Sequence, residues 1–193
     1  MARVWIDVGA HYGETMTPEP GVVVYGFEPN ISVAFKVMGQ GRMIVVPFAV
    51  SEIDGPVDFN ITANDSCSSI LPLDGEGALG WRAHNPDGLR VVNTVWVPSV
   101  RLDTFLRLAS IEHVEYLKID AQGADLAVVR SAGDRLACID RVRLEVQIAR
   151  SPYAGAATKA EVVEYMTAHG FELVRAIPQS QGQEENLDFE RVR

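Results

Sequence analysis

Two short apolar runs near the start of the chain each finish beside an acid, and this pairing restricts the fold more than any other feature. Residues 4–8 lead into Asp7-x-Gly9-Ala10-His11-Tyr12-Gly13, and residues 22–27 lead into Glu28-Pro29-Asn30. The order is a buried strand, a glycine loop holding one acid, a second buried strand and a second acid. Open α/β sheets take their ligands at the carboxyl ends of parallel strands, so acids in these places line a crevice suited to a nucleoside.

The loop chemistry narrows the ligand. A dinucleotide site carries three glycines so that backbone N–H groups can approach a pyrophosphate. Here the pattern is Asp-x-Gly-x-x-x-Gly. Asp7 would repel a pyrophosphate, yet it attracts an ammonium or sulfonium group, directly or through water, by a charge-assisted bond of about 1.5–3 kcal/mol. Glu28 stands where an acid takes both hydroxyls of a ribose. A ribose with a cationic amino-acid tail is S-adenosylmethionine (SAM), which is the expected cofactor; a nicotinamide cofactor is disfavoured by the missing Gly-x-Gly-x-x-Gly and by Asp7. Each acid also has a plainer reading, Asp7 as a helix cap and Glu28 as a solvated acid before a Pro-Asn turn.

With 193 residues the chain suits one domain, residues 1–193. Its net charge of −9 argues against nucleic acid or an anionic membrane as partner, because phosphate binding needs a basic face. A small, neutral or basic acceptor fits better. Met1 stands almost directly before the first strand, no apolar run approaches membrane-spanning length, and a cytoplasmic location is expected. Cys67 and Cys138 are far apart and outside any Cys-x-x-Cys pattern, so each reads as a reduced thiol.

Apolar runs recur at 4–8, 22–27, 43–50, 116–119, 142–146 and 171–174, as buried parallel strands do. Helical spacing separates several of them, at 31–38, 125–136 and 158–169, the last closed by Gly170. Strands alternating with helices imply a doubly wound sheet. The segment 14–21, with Pro18 and Pro20, leaves room for a turn or two at most, so the sheet is thinly covered there. Residues 57–61 and 93–97 alternate like an added antiparallel pair, and 64–88 between them is a long polar loop expected on the substrate side. Residues 186–192 alternate as an antiparallel last strand would.

With Asp7-x-Gly9-Ala10-His11-x-Gly13, Phe27-Glu28-Pro29-Asn30 and Leu117-Lys118-Ile119-Asp120-Ala121-Gln122-Gly123-Ala124-Asp125 in view, the chain resembles the FkbM family of SAM-dependent methyltransferases over nearly its whole length. Ala49-Val50-Ser51, the segment 97–106 and Leu144-Glu145-Val146 add to the likeness. The resemblance implies a Rossmann-like class I methyltransferase sheet of seven mostly parallel strands with an antiparallel last strand, here with an inserted β-hairpin and loop. It implies methyl transfer to a hydroxyl of a sugar or secondary metabolite, a small-molecule or glycan acceptor. By the same likeness Asp7, Gly9, His11 and Gly13 line the methionine end of the cofactor. Glu28 holds the ribose with Pro29 and Asn30 around it, and Val50 and Ser51 flank the adenine. Gln122 departs from the glutamate usual in the family's Lys-Ile-Asp-x-Glu-Gly, and Gln147 stands where a histidine is frequent. Those two departures motivate an alternative reading, a SAM-binding partner subunit with weak catalysis; a nitrogen acceptor is the other alternative. Family members commonly carry helices before the first strand, and without them the cleft is open to a large substrate or closed by a second subunit in a homodimer.

Methyl transfer to oxygen needs a group to take one proton. Asp120, at the carboxyl end of the fourth strand of the core sheet, is the candidate base; its other reading is a structural partner of Lys118 or of the cofactor's amino group. Glu145 is the candidate orienter of the acceptor, or else an ion-pair partner of Arg141 or Arg143. His11 reads as a hydrogen-bond donor, and His84 beside Trp81 and Arg82 as a substrate contact. Asp120, Asp125 and Glu145 are able to gather round a hard cation, but no ligand spacing requires one, and no metal is expected.

Overall fold

The computed structural model describes residues 3–81 and 86–192; Arg82 and His84 lie outside them. Among the described residues ten strands form two sheets. β1 (Arg3–Val8), β2 (Val22–Phe27) and β3 (Ile44–Val46) begin the larger sheet, while β4 (Ala49–Val50), β5 (Gly55–Thr62) and β6 (Val91–Val100) form a smaller one. β7 (Val114–Ile119), β8 (Ile139–Gln147), β9 (Phe171–Gln179) and β10 (Glu184–Arg191) complete the larger sheet in the order β3-β2-β1-β7-β8-β10-β9. Within this larger sheet, among the described residues, β10 alone runs against its neighbours, pairing antiparallel with both β8 and β9. This is the expected α/β architecture with its antiparallel last strand.

Local sequence accounts for most boundaries. Helix α1 (Ile31–Met38) starts where the Asn30 side chain accepts from the Ser32 N–H, and it buries Val33, Ala34 and Val37. Pro47 ends β3, so the single apolar run at 43–50 becomes two strands in different sheets: the Phe48 N–H turns back to the Val46 carbonyl at 2.8 Å. The inserted pair is present, with Val57 opposite Val97 and Phe59 opposite Val95. The polar stretch between its strands is more ordered than a loop. It holds a 3₁₀ turn at Asp65–Cys67 and the short α2 (Gly75–Gly80), and it packs Cys67, Trp81 and Leu89 into a small core of its own. α3 (Leu102–Leu108) follows the smaller sheet. α4 (Asp125–Ser131) stops earlier than the spacing predicts, with Gly133 at φ 50° starting a 3₁₀ segment through Cys138. α5 (Lys159–Ala168) opens on a capping box between Thr158 and Glu161.

The two faces of the large sheet differ. On one, Ile6, Val8, Leu117, Ile119 and Leu144 join residues of α3, α4 and α5 in the main core, among them Leu106, Val129 and Met166. Period-two alternation puts Trp5, Asp7, Tyr116, Lys118, Arg143 and Asp188 on the other face. No helix lies between β1 and β2, and beside that abbreviated crossover the second face is polar and partly open. Arg143 and Arg175 both bind Asp188, at 2.6 and 2.7 Å, and Arg141 lies over the Tyr116 ring at 5.4 Å. Among the described residues no helix is long and apolar enough to cross a membrane.

One charge pair lies beneath this face. Asp7 and Lys118 are register partners on β1 and β7, and Lys118 Nζ donates to Asp7 Oδ1 at 3.0 Å. The Asp7 side chain is fully buried and that of Lys118 nearly so. Burial works to lower the Lys118 pKa, but the Asp7 and Asp120 carboxylates outweigh it and hold the ammonium above its ordinary value. Removing one partner strands the other charge in the interior. Lys118→Met is therefore expected to lower the unfolding free energy by about 3–5 kcal/mol, and adding Asp7→Asn should restore much of the loss; urea unfolding of the two single variants and the double variant measures both.

Candidate functional site

The carboxyl ends of β1, β2, β7 and β8 open into a cavity of about 290 Å³, near the lower end of the ~300–1,000 Å³ of small-molecule sites. One wall is the glycine loop. Gly9 has φ 76°, and a Cβ there would lie 1.9 Å from the Asp120 carbonyl oxygen, so only glycine lets the loop lie against the end of β7. The Gly9 and Ala10 N–H groups both donate to the Phe27 carbonyl, at 3.0 and 2.9 Å, which ties the loop to the end of β2.

Glu28 stands beside that tie, buried but lining the cavity. Its Oε2 accepts the His11 N–H at 2.9 Å and its Oε1 the Asn30 N–H at 2.8 Å. Burial pushes its carboxyl above the ordinary range, and these two N–H bonds oppose that. Each oxygen keeps a lone pair for a hydroxyl. Phe48, Ala49 and Val50 supply an apolar wall next to it. A fixed two-oxygen acceptor for a ribose, an apolar wall for a base and a glycine loop fit the donor set that SAM requires.

The insert closes the cavity over the loop. His11, at φ 44°, bonds Asp65 Oδ1 through Nε2 at 3.0 Å, and the Tyr12 hydroxyl donates to Asp65 Oδ2 at 2.9 Å. Burial raises the Asp65 pKa, but the His11 and Tyr12 hydrogen bonds outweigh it and leave the carboxyl below its ordinary value.

The far end is acidic. Asp120, Glu145 and Glu184 line it together with Gln122, Tyr153 and Trp81. Burial, with Asp120, Glu184 and Asp125 close by, pushes the Glu145 carboxyl up to about 10. Asp125 lies behind the wall; burial and Asp120 push it to about 7, and its Oδ2 has no partner. Burial likewise takes the Cys67 thiol to about 11, so it stays protonated at neutral pH.

Of the residues singled out from sequence, Gly9, His11, Glu28, Pro29, Val50, Asp120 and Glu145 line the cavity. Asp7, Gly13, Asn30 and Ser51 stand behind them. Asp7 pairs with Lys118, Gly13 turns against Val37 and Met43, Asn30 caps α1, and the Ser51 hydroxyl bonds Ser99 at 2.7 Å. Asp65, Gln122 in its bonded role, Tyr153 and Glu184 emerge only from the structure. The polar composition of 64–88 pointed toward Asp65, whereas no local pattern marks Tyr153.

Glu145 fixes a pH dependence. Its folded pKa lies above its ordinary value of 4.5, so the folded chain holds a proton that the unfolded chain loses between pH 4.5 and about 10. Stability is whole below that window and falls as pH rises through it. Glu145→Gln is expected to match the parent near pH 4 and to exceed it by on the order of 1–3 kcal/mol at pH 7, as urea unfolding at the two pH values reports.

The family model described as the methyltransferase FkbM domain matches residues 7–173. Among curated proteins none matches the chain. Among solved structures, the SAM-bound magnesium protoporphyrin IX methyltransferase from Synechocystis PCC 6803 is 9% identical, with a TM-score of 0.52 over 99% of this chain and 71% of that one. Aeropyrum pernix fibrillarin with natively bound S-adenosyl-L-methionine is 12% identical, with a TM-score of 0.52 over 97% and 66%. A TehB-like SAM-dependent methyltransferase from Corynebacterium glutamicum is 10% identical, with a TM-score of 0.51 over 99% and 81%. At such identities the structures establish the fold, and the family match establishes the rest: the chain belongs to the FkbM family of methyltransferases and takes its methyl group from SAM.

Proposed function

We propose that this chain is a single-domain, cytoplasmic O-methyltransferase acting on a hydroxyl of a small, neutral or basic acceptor such as a sugar or secondary metabolite. The observation that carries the reading is the position of Asp120, a carboxylate on the cavity wall at the end of β7, with Glu28 at the end of β2. When bound, SAM supplies a methyl group on a sulfonium sulfur that departs as a neutral thioether.

The chain's own residues divide the remaining work. Glu28 takes the ribose hydroxyls, with Pro29 beside it, and Val50 meets the adenine. Gly9 and His11 border the amino-acid end. Asp7, Gly13, Asn30 and Ser51 act one layer back, by holding Lys118, the loop turn, α1 and the β4 end. Asp120 accepts the hydroxyl proton as the new C–O bond forms. Glu145, protonated at neutral pH, donates a hydrogen bond that orients the acceptor. Six carboxyl groups line the cavity, Glu14, Glu28, Asp65, Asp120, Glu145 and Glu184, and this favours neutral or basic acceptors over carboxylate or phosphate ones. An amine acceptor satisfies the same charge argument and is the alternative that an acceptor screen decides.

Calorimetric titration should give SAM binding that Glu28→Ala weakens at least tenfold, and no comparable binding of NADH. Asp120→Asn should keep SAM binding and lose about 10²–10⁴-fold in turnover of a hydroxyl acceptor. Unchanged turnover in that variant removes Asp120 as the base.

A further inference from the structure

Asp120 does not face the cavity alone. The Gln122 Nε2 donates to Asp120 Oδ1 at 2.7 Å, and the Gln122 Oε1 accepts the Tyr153 hydroxyl at 2.5 Å. The backbone around Gln122 is built to allow this. Gln122 has φ 53° and Gly123 φ 88°, and the Ser69 hydroxyl donates to the Gln122 carbonyl at 2.8 Å. A Cβ on Gly123 would come 2.8 Å from the Tyr153 Cβ, so the glycine is what admits the tyrosine. Tyr153 is buried, and its hydroxyl also lies 3.1 Å from the Cys67 carbonyl.

The direction of this chain of bonds is not arbitrary. A primary amide has one accepting and one donating end; an ionised Asp120 can only accept and so takes the donating end, which leaves Oε1 to accept the Tyr153 proton at 2.5 Å, closer than the Cys67 carbonyl at 3.1 Å. The N–H₂ therefore points at Asp120, and the Tyr153 bond holds the other end of the amide in place. With the amide reversed, its oxygen would face Asp120 Oδ1 at the same separation, an acceptor against an acceptor, tolerable only with a proton between them. Oδ1 thus carries the Gln122 hydrogen bond, while Oδ2, 3.7 Å from Lys118 Nζ and outside hydrogen-bond distance of it, has both lone pairs open to a substrate proton.

We propose that Gln122, oriented by Tyr153, is a positioning residue that keeps Asp120 as a bare acceptor and presents its Oδ2 to the substrate proton. The functional meaning rests on Asp120 being the base, but the coupling itself can be tested without an acceptor. Protein carrying ¹³C at its aspartate carboxyls, free of cofactor, is titrated from about pH 2 to about pH 9, with the Asp120 resonance assigned by its loss in Asp120→Asn. Gln122→Glu, of nearly the same shape, should move the midpoint of that resonance up by at least about one pH unit, a tenfold gain in proton affinity, because two carboxyl groups then share the site. Tyr153→Phe should move it the same way by less, and should speed solvent exchange of the Gln122 side-chain amide. Equal midpoints in the parent and a folded Gln122→Glu variant overturn the proposal. Where that variant does not fold, Gln122→Met removes the donor without adding charge, and its midpoint must still rise; an unmoved midpoint is the same refutation. An Asp120→Asn enzyme that still turns over would remove the base reading while leaving the titration result standing.

Discussion

The buried pair between Asp7 and Lys118 is the interaction on which the site depends. It joins the two central strands near their carboxyl ends, and Lys118 also stands 3.7 Å from Asp120. Such a pair is costly to desolvate, and two apolar residues of the same size would stabilise the sheet as well or better. What they would not do is hold a carboxylate at the end of β7 beside a cation. The pair therefore belongs to the electrostatics of the cavity as much as to the strength of the sheet. Asp7, which reads from sequence as a ligand contact, lies behind the residues that line the cavity.

The same face shows how a parallel sheet survives without a full second layer. Parallel sheets are ordinarily covered on both sides and built from continuous apolar runs. Here β8 and β10 alternate instead, with Val142, Leu144, Leu187 and Phe189 inward and Arg141, Arg143 and Asp188 outward. The guanidinium groups bind Asp188 and cover the aromatic ring of Tyr116, so the exposed side is polar where a covering helix is lacking. Individually such exposed pairs contribute little. Their part is to make the face compatible with water.

Much of this was legible in the sequence because it is local. Strand ends, the Asn30 cap, the Thr158 box and the glycine loop depend on neighbours a few residues away, and β1, β2 and α1 fall where periodicity puts them. The errors have local causes as well: Pro47 divides one apolar run between two sheets, and Gly133 cuts α4 short. What could not be read was contact across the chain. Asp65 meets His11 from 54 residues away, and Tyr153 meets Gln122 from 31. Gln122 in particular looks like the loss of a carboxylate when seen alone. Beside Tyr153 and Asp120 it is an amide whose two ends are both in use.

The insert is fastened at both ends. At one it is held by Asp65 to the glycine loop. At the other Leu73 bridges to Tyr153, the Asp74 N–H donates to the Pro152 carbonyl at 2.8 Å, and Gly77 lies so close to the Ser151 carbonyl that a Cβ would fall 1.9 Å from it. Its root is in the smaller sheet, so none of the seven strands changes register if its length or composition changes. Under the proposed function most cofactor contacts come from the strand ends of the large sheet, and the insert, tied to them through Asp65, forms the acceptor side. On that reading a change of acceptor needs changes in the roof alone, provided that Asp65 still fastens it to His11 and Tyr12 of the floor.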